Sequence, residues 1–226
     1  MRAYVGAVLL VVALVGTAAG QRCVGHQTFR NGNFHFAAGV DIDKYAETYG
    51  VDLRYSKRGV FGVVEAAIKT WGVETFDNES QELGATVGIS FSRDETSRLS
   101  VCPMVSYRTL DGPDEAAGIA WHYHENLFAG AVSLGYLLSQ SESWEIVPTL
   151  ALEMGTTNPT MKTQAGTSLG SYSTFCCGER GFTTVTTGLG LVLGRAVTIL
   201  PTVAIPLDEA GEAAYSLRIV IGLGRD

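Results

Sequence analysis

Gln81–Ser92 reads QELGATVGISFS. Taken by twos, Leu83, Ala85, Val87, Ile89 and Phe91 form one row, and Gly84, Thr86, Gly88 and Ser90 form the other. Successive side chains of a β-strand point to opposite faces, so the stretch predicts a strand with a bulky apolar side and a small, polar side. A strand half-exposed to water would carry Lys, Glu or Arg on its polar side. Gly, Thr and Ser suit a narrow interior instead, and the bulky row suits a greasy exterior.

The same alternation recurs along the chain. Phe34, Phe36, Ala38 and Val40 alternate with His35, Ala37, Gly39 and Asp41, and Tyr49, Val51, Leu53 and Tyr55 with Thr48, Gly50, Asp52 and Arg54. If Val60, Gly62, Val64, Ala66 and Ile68 face outward, Glu65 and Lys69 face inward with Phe61 and Val63. Further rows are Leu99–Tyr107 (with Pro103 demoting the strand somewhat), Phe128–Leu138, Trp144–Leu152, Val185–Leu193, Val197–Ile205 and Tyr215–Leu223. That makes about ten strands, with eight as the alternative, each close to the ~9–11 residues a tilted strand needs to cross a bilayer.

The connections supply a second test. Those near residues 57, 94, 141 and 195 are short, whereas those near 75, 117 and 168 are long, with loops expected over Arg108–Asn126 and Gly155–Gly181. Short turns on one rim and long loops on the other are the asymmetry of outer-membrane barrels. Only the first connection, Ile42–Tyr45, is shorter than that pattern prefers. The expected fold is all-β: one antiparallel, up-and-down transmembrane β-barrel.

Composition and termini agree. Hydrophobic residues make up 46% and charged ones 17% of the 226 residues, with 27 glycines. A soluble domain carries roughly 25% charge. The net charge of -7, with no Lys/Arg run, argues against a nucleic-acid partner. Arg2, the apolar Val5–Gly16 and the small residues Ala18 and Gly20 predict a signal peptide over residues 1–20, leaving a single barrel domain over 21–226. Cys23, Cys102, Cys176 and Cys177 fit an oxidising compartment and allow three pairings. The topology puts Cys23 and Cys102 on the same, periplasmic side, where they are expected to pair. Cys176 and Cys177 fall in the longest outer loop.

The leader, the strands ELGATVGISF, AGAVSLGYLL and VTTGLGLVLG, and the final AYSLRIVIGLG together resemble the small outer-membrane β-barrel proteins of Gram-negative-type bacteria, the OmpA/OmpX-like and related barrel-domain families. The resemblance covers essentially the whole mature chain. It implies residence in the outer membrane, lipids and the barrel assembly machinery as partners, and long loops available to an extracellular ligand. One departure is the C-terminus, Gly-Leu-Gly-Arg-Asp, where Leu223 stands in place of the family's usual terminal aromatic.

Alternation places Asp41, Asp52, Arg54, Glu65, Lys69, Glu145, Glu153 and Arg218 on the small-residue face. Facing lipid, an Arg or Lys would cost roughly 2–4 kcal/mol at the midplane. A closed barrel lets these charges pair across a polar lumen. Barrels of this size are filled largely by their own side chains, which favours a structural ion-pair network over an ion pathway.

His122, Tyr123, His124 and Glu125 form the other cluster. The two histidines share a face at a spacing that suits a metal, and a His beside a carboxylate also suits a lipid-acting hydrolase. With no third ligand nearby in sequence, the reading adopted is a solvent-facing loop with Tyr123 as an aromatic girdle residue. No cofactor, metal or catalytic residue is assigned.

The leading reading is thus an integral outer-membrane barrel with a structural, surface-interaction or small-pore role. The alternative is a secreted, soluble calycin-like barrel holding an apolar ligand, which would turn uncharged, Gly-rich faces to water. An outer-membrane lipid hydrolase built on His122–Glu125 is the third.

Overall fold

The computed structural model describes residues 34–44, 46–57, 59–71, 79–92, 98–112, 115–116, 119–141, 143–164, 172–175, 179–193, 197–208 and 212–222. The expected signal peptide, Cys23, Cys176, Cys177 and Leu223 lie outside the described residues.

The chain forms β1 (Phe34–Ile42), β2 (Ala46–Lys57), β3 (Val60–Trp71), β4 (Glu79–Ile89), β5 (Leu99–Asp111), β6 (Ile119–Tyr136), β7 (Trp144–Gln164), β8 (Arg180–Leu193), β9 (Val197–Pro206) and β10 (Ala214–Gly222). Each pairs antiparallel with the next in sequence. β10 returns to β1 from Ile42–Tyr215 to His35–Gly222. That last ladder closes the sheet, which removes both edges. The result is the up-and-down barrel that the alternation predicts, with ten strands.

The stretch Gln81–Ser92 is β4 with a short break. Its ladder with β5 runs to Gly88–Met104 and resumes at Phe91–Val101. Pro103 lies opposite the break, and with no amide hydrogen it cannot give a ladder bond. The Ser90 amide instead donates to the Gly59 carbonyl at 2.7 Å, across the β2–β3 turn. Pro201 does the same elsewhere: the β8–β9 ladder skips from Gly188–Thr202 to Leu191–Ile199. Pro148 and Pro159 stand just past the ends of the β6–β7 and β7–β8 ladders respectively. The prolines occupy positions where the sheet asks for no donor.

The short first connection has a local cause. Asp43 Oδ1 accepts from the Ala46 amide at 2.8 Å, and the Asp43 amide donates to the Ala46 carbonyl at 3.0 Å. This Asx-type turn needs few residues.

Two expected loops are strand for much of their length. β6 has 18 residues and β7 has 21, and they pair from Gly135–Thr149 out to Trp121–Thr163. Tyr172–Phe175 adds to the outer end of β7. The extension has no alternating hydrophobicity because both of its faces lie past the apolar belt. The backbone ladder alone marks it as strand.

Candidate functional site

Side-chain parity decides what each wall of the barrel meets. Tyr49, Val64, Leu83, Val87, Val105, Tyr107, Phe128, Leu150, Tyr215 and Ile219 all point outward and are exposed, Val64 to 65%. An apolar belt outside a closed barrel, with charge inside, is the construction of a bilayer-spanning barrel. The lumen is therefore the site in which polar chemistry is gathered.

Near the short turns buried side chains crowd the lumen. Phe61 is 1% exposed and packs with Cys102, Val63 and Met104. Leu137, Val147 and Val192 make a second buried cluster at the same end, and Val220, Leu200 and Ala37 are also buried. The glycines of β4 make this possible. A Cβ on Gly88 would sit 2.6 Å from Phe61 Cε1 and 2.9 Å from Met104 Cβ, and one on Gly84 would sit 2.7 Å from Glu65 Cγ. Their smallness makes room for long side chains from neighbouring strands, as the small-residue row predicts.

Toward the long loops the lumen widens into a cavity of about 570 Å³, walled in part by Asp41, Glu65, Glu82, Arg108, Glu153 and Arg218. Its charges form one chain. Arg54 holds the buried Asp52 through both Nε and Nη2, the latter at 2.7 Å. Arg218 reaches Asp52 at 3.2 Å, Asp41 at 3.3 Å and Glu65 at 3.9 Å. Arg108 continues the chain to Glu65 at 3.0 Å and Glu82 at 3.9 Å. All of these residues stand on β10 and β1–β5. The facing wall, β6–β9, presents Thr149, Ala151, Thr184, Thr186, Thr202 and Ala204 to the same cavity.

Most of the expected lumen charges thus meet, but not all. Lys69 sits toward the long-loop rim, 3.6 Å from Asp43 and 4.4 Å from the centre of the Trp71 ring. Glu153 lines the cavity and makes no ion pair within 4 Å among the described residues. Glu145 lies apart from the network, buried at the short-turn end, where Gln140 Nε2 donates to it at 3.0 Å. Arg108 and Glu82 are network members that the sequence reading left out. Parity was the available signal: Glu82 precedes Gly84 on the inward row, and Arg108 follows Ser106.

Cys102 is disulfide-bonded, buried beside Phe61 on the inward face of β5. Its expected partner, Cys23, lies outside the described residues.

The His122–Glu125 cluster is strand rather than loop, and parity divides it. Tyr123 and Glu125 take the inward parity of Ala129. There the Tyr123 hydroxyl donates to Glu125 at 2.8 Å, and the Thr157 hydroxyl also donates to Glu125. Burial, and then the Glu125 hydrogen bond, push the Tyr123 hydroxyl above its ordinary range, so it remains a donor. Tyr123 is therefore no girdle residue, and Glu125 is turned away from the histidines. His122 and His124 face outward beyond the apolar belt, against Asp111. Among the described residues no group of three or more His, Cys, Asp or Glu side chains stands ready to hold a metal ion.

No protein-family model and no curated protein matches this sequence. Solved structures do. The chain is similar to the translocator domain of the autotransporter NalP from Neisseria meningitidis, with 12% identity, a TM-score of 0.52, and coverage of 84% of this chain and 87% of that one. The β domain of the Bordetella autotransporter Brka follows, with 10% identity, a TM-score of 0.44, and coverage of 85% and 99%. The transport unit of AIDA-I from Escherichia coli has 12% identity, a TM-score of 0.37, and coverage of 87% and 91%. The likeness to the NalP domain is one of fold: a closed antiparallel barrel.

Proposed function

We propose that the chain works as an integral β-barrel of the bacterial outer membrane, closed to free diffusion, acting as a membrane-anchored platform through its long-loop rim. The observation that carries this reading is the arrangement of the lumen. A packed apolar floor around Phe61 lies beneath a charged vestibule that opens toward the long loops. The extended β6–β7 hairpin, standing past the apolar belt, supplies surface for an extracellular partner. Lipids contact the outward belt, and the barrel assembly machinery inserts the chain. No catalytic step is assigned, because Glu125 and the two histidines lie on opposite faces of β6.

Translocation, the role named for the NalP domain, is not carried over; the packed cluster around Phe61 supports a closed barrel instead. A small pore is the competing reading, and Glu153, which lines the charged vestibule with no ion pair within 4 Å among the described residues, is the observation in its favour. Cys23 is proposed as the disulfide partner of Cys102, tying the N-terminal lead to the barrel wall. Peptide mapping without reduction should recover these two together, and Cys102 joined to Cys176 or Cys177 would refute it.

Fractionation with detergent extraction and heat-modifiable gel migration tests the reading as a whole. The expected result is a membrane-bound protein whose unheated form migrates apart from its boiled form. Recovery in a soluble fraction without detergent would overturn it in favour of the calycin-like alternative.

A further inference from the structure

The vestibule and its wall hold more negative charge than their arginines balance. Arg54, Arg108 and Arg218 face Asp41, Asp52, Glu65, Glu82 and Glu153, three positive charges against five negative ones. Lys69 does not mend the deficit, because it stands at the rim 3.6 Å from Asp43. The shortfall is also localised. Asp41 lies 3.3 Å and Asp52 3.2 Å from Arg218, and Glu65 lies 3.0 Å from Arg108. Glu82 reaches Arg108 only at 3.9 Å, and Glu65 already claims that guanidinium. Glu153 makes no ion pair or hydrogen bond among the described residues and acts on Arg108 only at longer range.

We propose that the vestibule is a binding site for a small aliphatic diamine that enters from the long-loop side and places its ammonium groups on Glu153 and Glu82. The proposal rests on the reading of a barrel floored around Phe61 and open above. The cavity of about 570 Å³ falls within the roughly 300–1,000 Å³ of small-molecule sites. Charge left unmatched in a narrow lumen is costly, and a bound dication supplies the two positive charges that the arginines do not. Among the described residues no trio of His, Cys, Asp or Glu stands ready for a metal ion, so the cation that fits is organic. An ammonium brings three donors to carboxylates whose acceptors are otherwise little used. Ala151 and Ala204, with the methyl groups of Thr184 and Thr186, give an alkyl chain a surface to lie against.

The two carboxylates stand on different walls. Glu153 belongs to β7, opposite Ala131 and Thr184 in its ladders, and Glu82 belongs to β4, opposite Ala67 and Leu110. A ligand with one charge has to choose between them, whereas a diamine spans from the threonine wall to the charged wall. With an ammonium on Glu82, Arg108 is left to Glu65. Aliphatic amines titrate near pH 10, as lysine does, so both ends stay charged at neutral pH. The attraction is chiefly electrostatic in a cavity open to water, and salt weakens it.

The test is calorimetric titration of the detergent-solubilised full chain with cadaverine, a straight-chain diamine. It is repeated with glutarate, a diacid of the same chain length, and with Mg²⁺. Glu153→Gln and Glu82→Gln remove the two anchors, and Glu79→Gln changes an exposed carboxylate on the outward row of β4 as a control. Heat-modifiable migration comes first: its absence counts against the barrel itself, whereas a folded barrel that ignores cadaverine counts against the diamine site alone. The expected result is one cadaverine per chain and no response to glutarate or Mg²⁺. Each anchor variant should bind about tenfold or more weakly, the value of a hydrogen bond to a charged group, and Glu79→Gln should bind as the parent does. A folded parent that takes up no cadaverine, or takes up glutarate or Mg²⁺ as well, would overturn the proposal. So would a folded Glu153→Gln or Glu82→Gln that binds cadaverine as the parent does.

Discussion

The short-turn half of the lumen and its long-loop half are made by the same ten strands, yet they are filled differently: apolar clusters with buried Ser56, Ser90, Ser100 and Glu145 below, and ion pairs around a cavity above. Below, Phe61, Val147 and Val192 are buried to 2% exposure or less and pack as a soluble core would. Above, arginines and carboxylates line a cavity open to water. The difference follows from how each filling is stabilised. Apolar side chains in a dry floor gain about 25 cal/mol per Å² removed from water and need no exact partner. Charges in a narrow lumen need paired neighbours, and water at the open end softens the cost of imperfect pairing. A barrel that seals at one end and stays polar at the other can hold a vestibule without becoming a channel.

Substitutions can break that contrast, and their effects should descend in order. Phe61→Ala removes the centre of the floor and should cost about 3–5 kcal/mol of stability, read from urea unfolding of the lipid-embedded barrel. An unchanged unfolding midpoint would show that the floor is not a packed core. Gly88→Ala drives a Cβ into Phe61 and Met104 and should cost about 1–3 kcal/mol, and the double change with Phe61→Ala should recover part of that loss. Additive costs would mean that the two residues do not touch.

Arg218→Met leaves Asp41 without its arginine and Asp52 with only Arg54. Because the vestibule is wet and Arg54 stays in place, the expected cost is about 1–2 kcal/mol, below that of breaking a fully buried pair. A loss as large as that from Phe61→Ala would mean the charged half is as dry as the floor. Lys69→Met, at the rim, should cost under about 1 kcal/mol and lose even that at high salt.

Much of this contrast was legible in the chain. Period-two alternation gave the walls, the outward row and the inward placement of Asp52, Arg54, Glu65 and Arg218, because a bilayer on one side and a lumen on the other enforce strict alternation. The signal faded where that pressure stops. Past the belt, both faces of β6 and β7 are polar, so the strand carrying His122 and Glu125 read as loop. For the same reason Asp111 was not seen as the residue opposite His124: only the register brings β5 and β6 together there. The dry floor was also hard to foresee. Phe61, Val63 and Val147 are bulky residues on the inward row, and only the closed barrel shows that Phe61 packs with Val63 in the space left by Gly88 while Val147 joins a separate cluster with Leu137 and Val192.

The central claim is that the barrel is sealed by its floor and not by its charges. Planar-bilayer conductance of the parent chain beside Phe61→Gly and Arg218→Met tests it most directly. The account predicts a silent parent, a silent Arg218→Met and steady current through Phe61→Gly. Steady current through the parent, or current through Arg218→Met with none through Phe61→Gly, would contradict it.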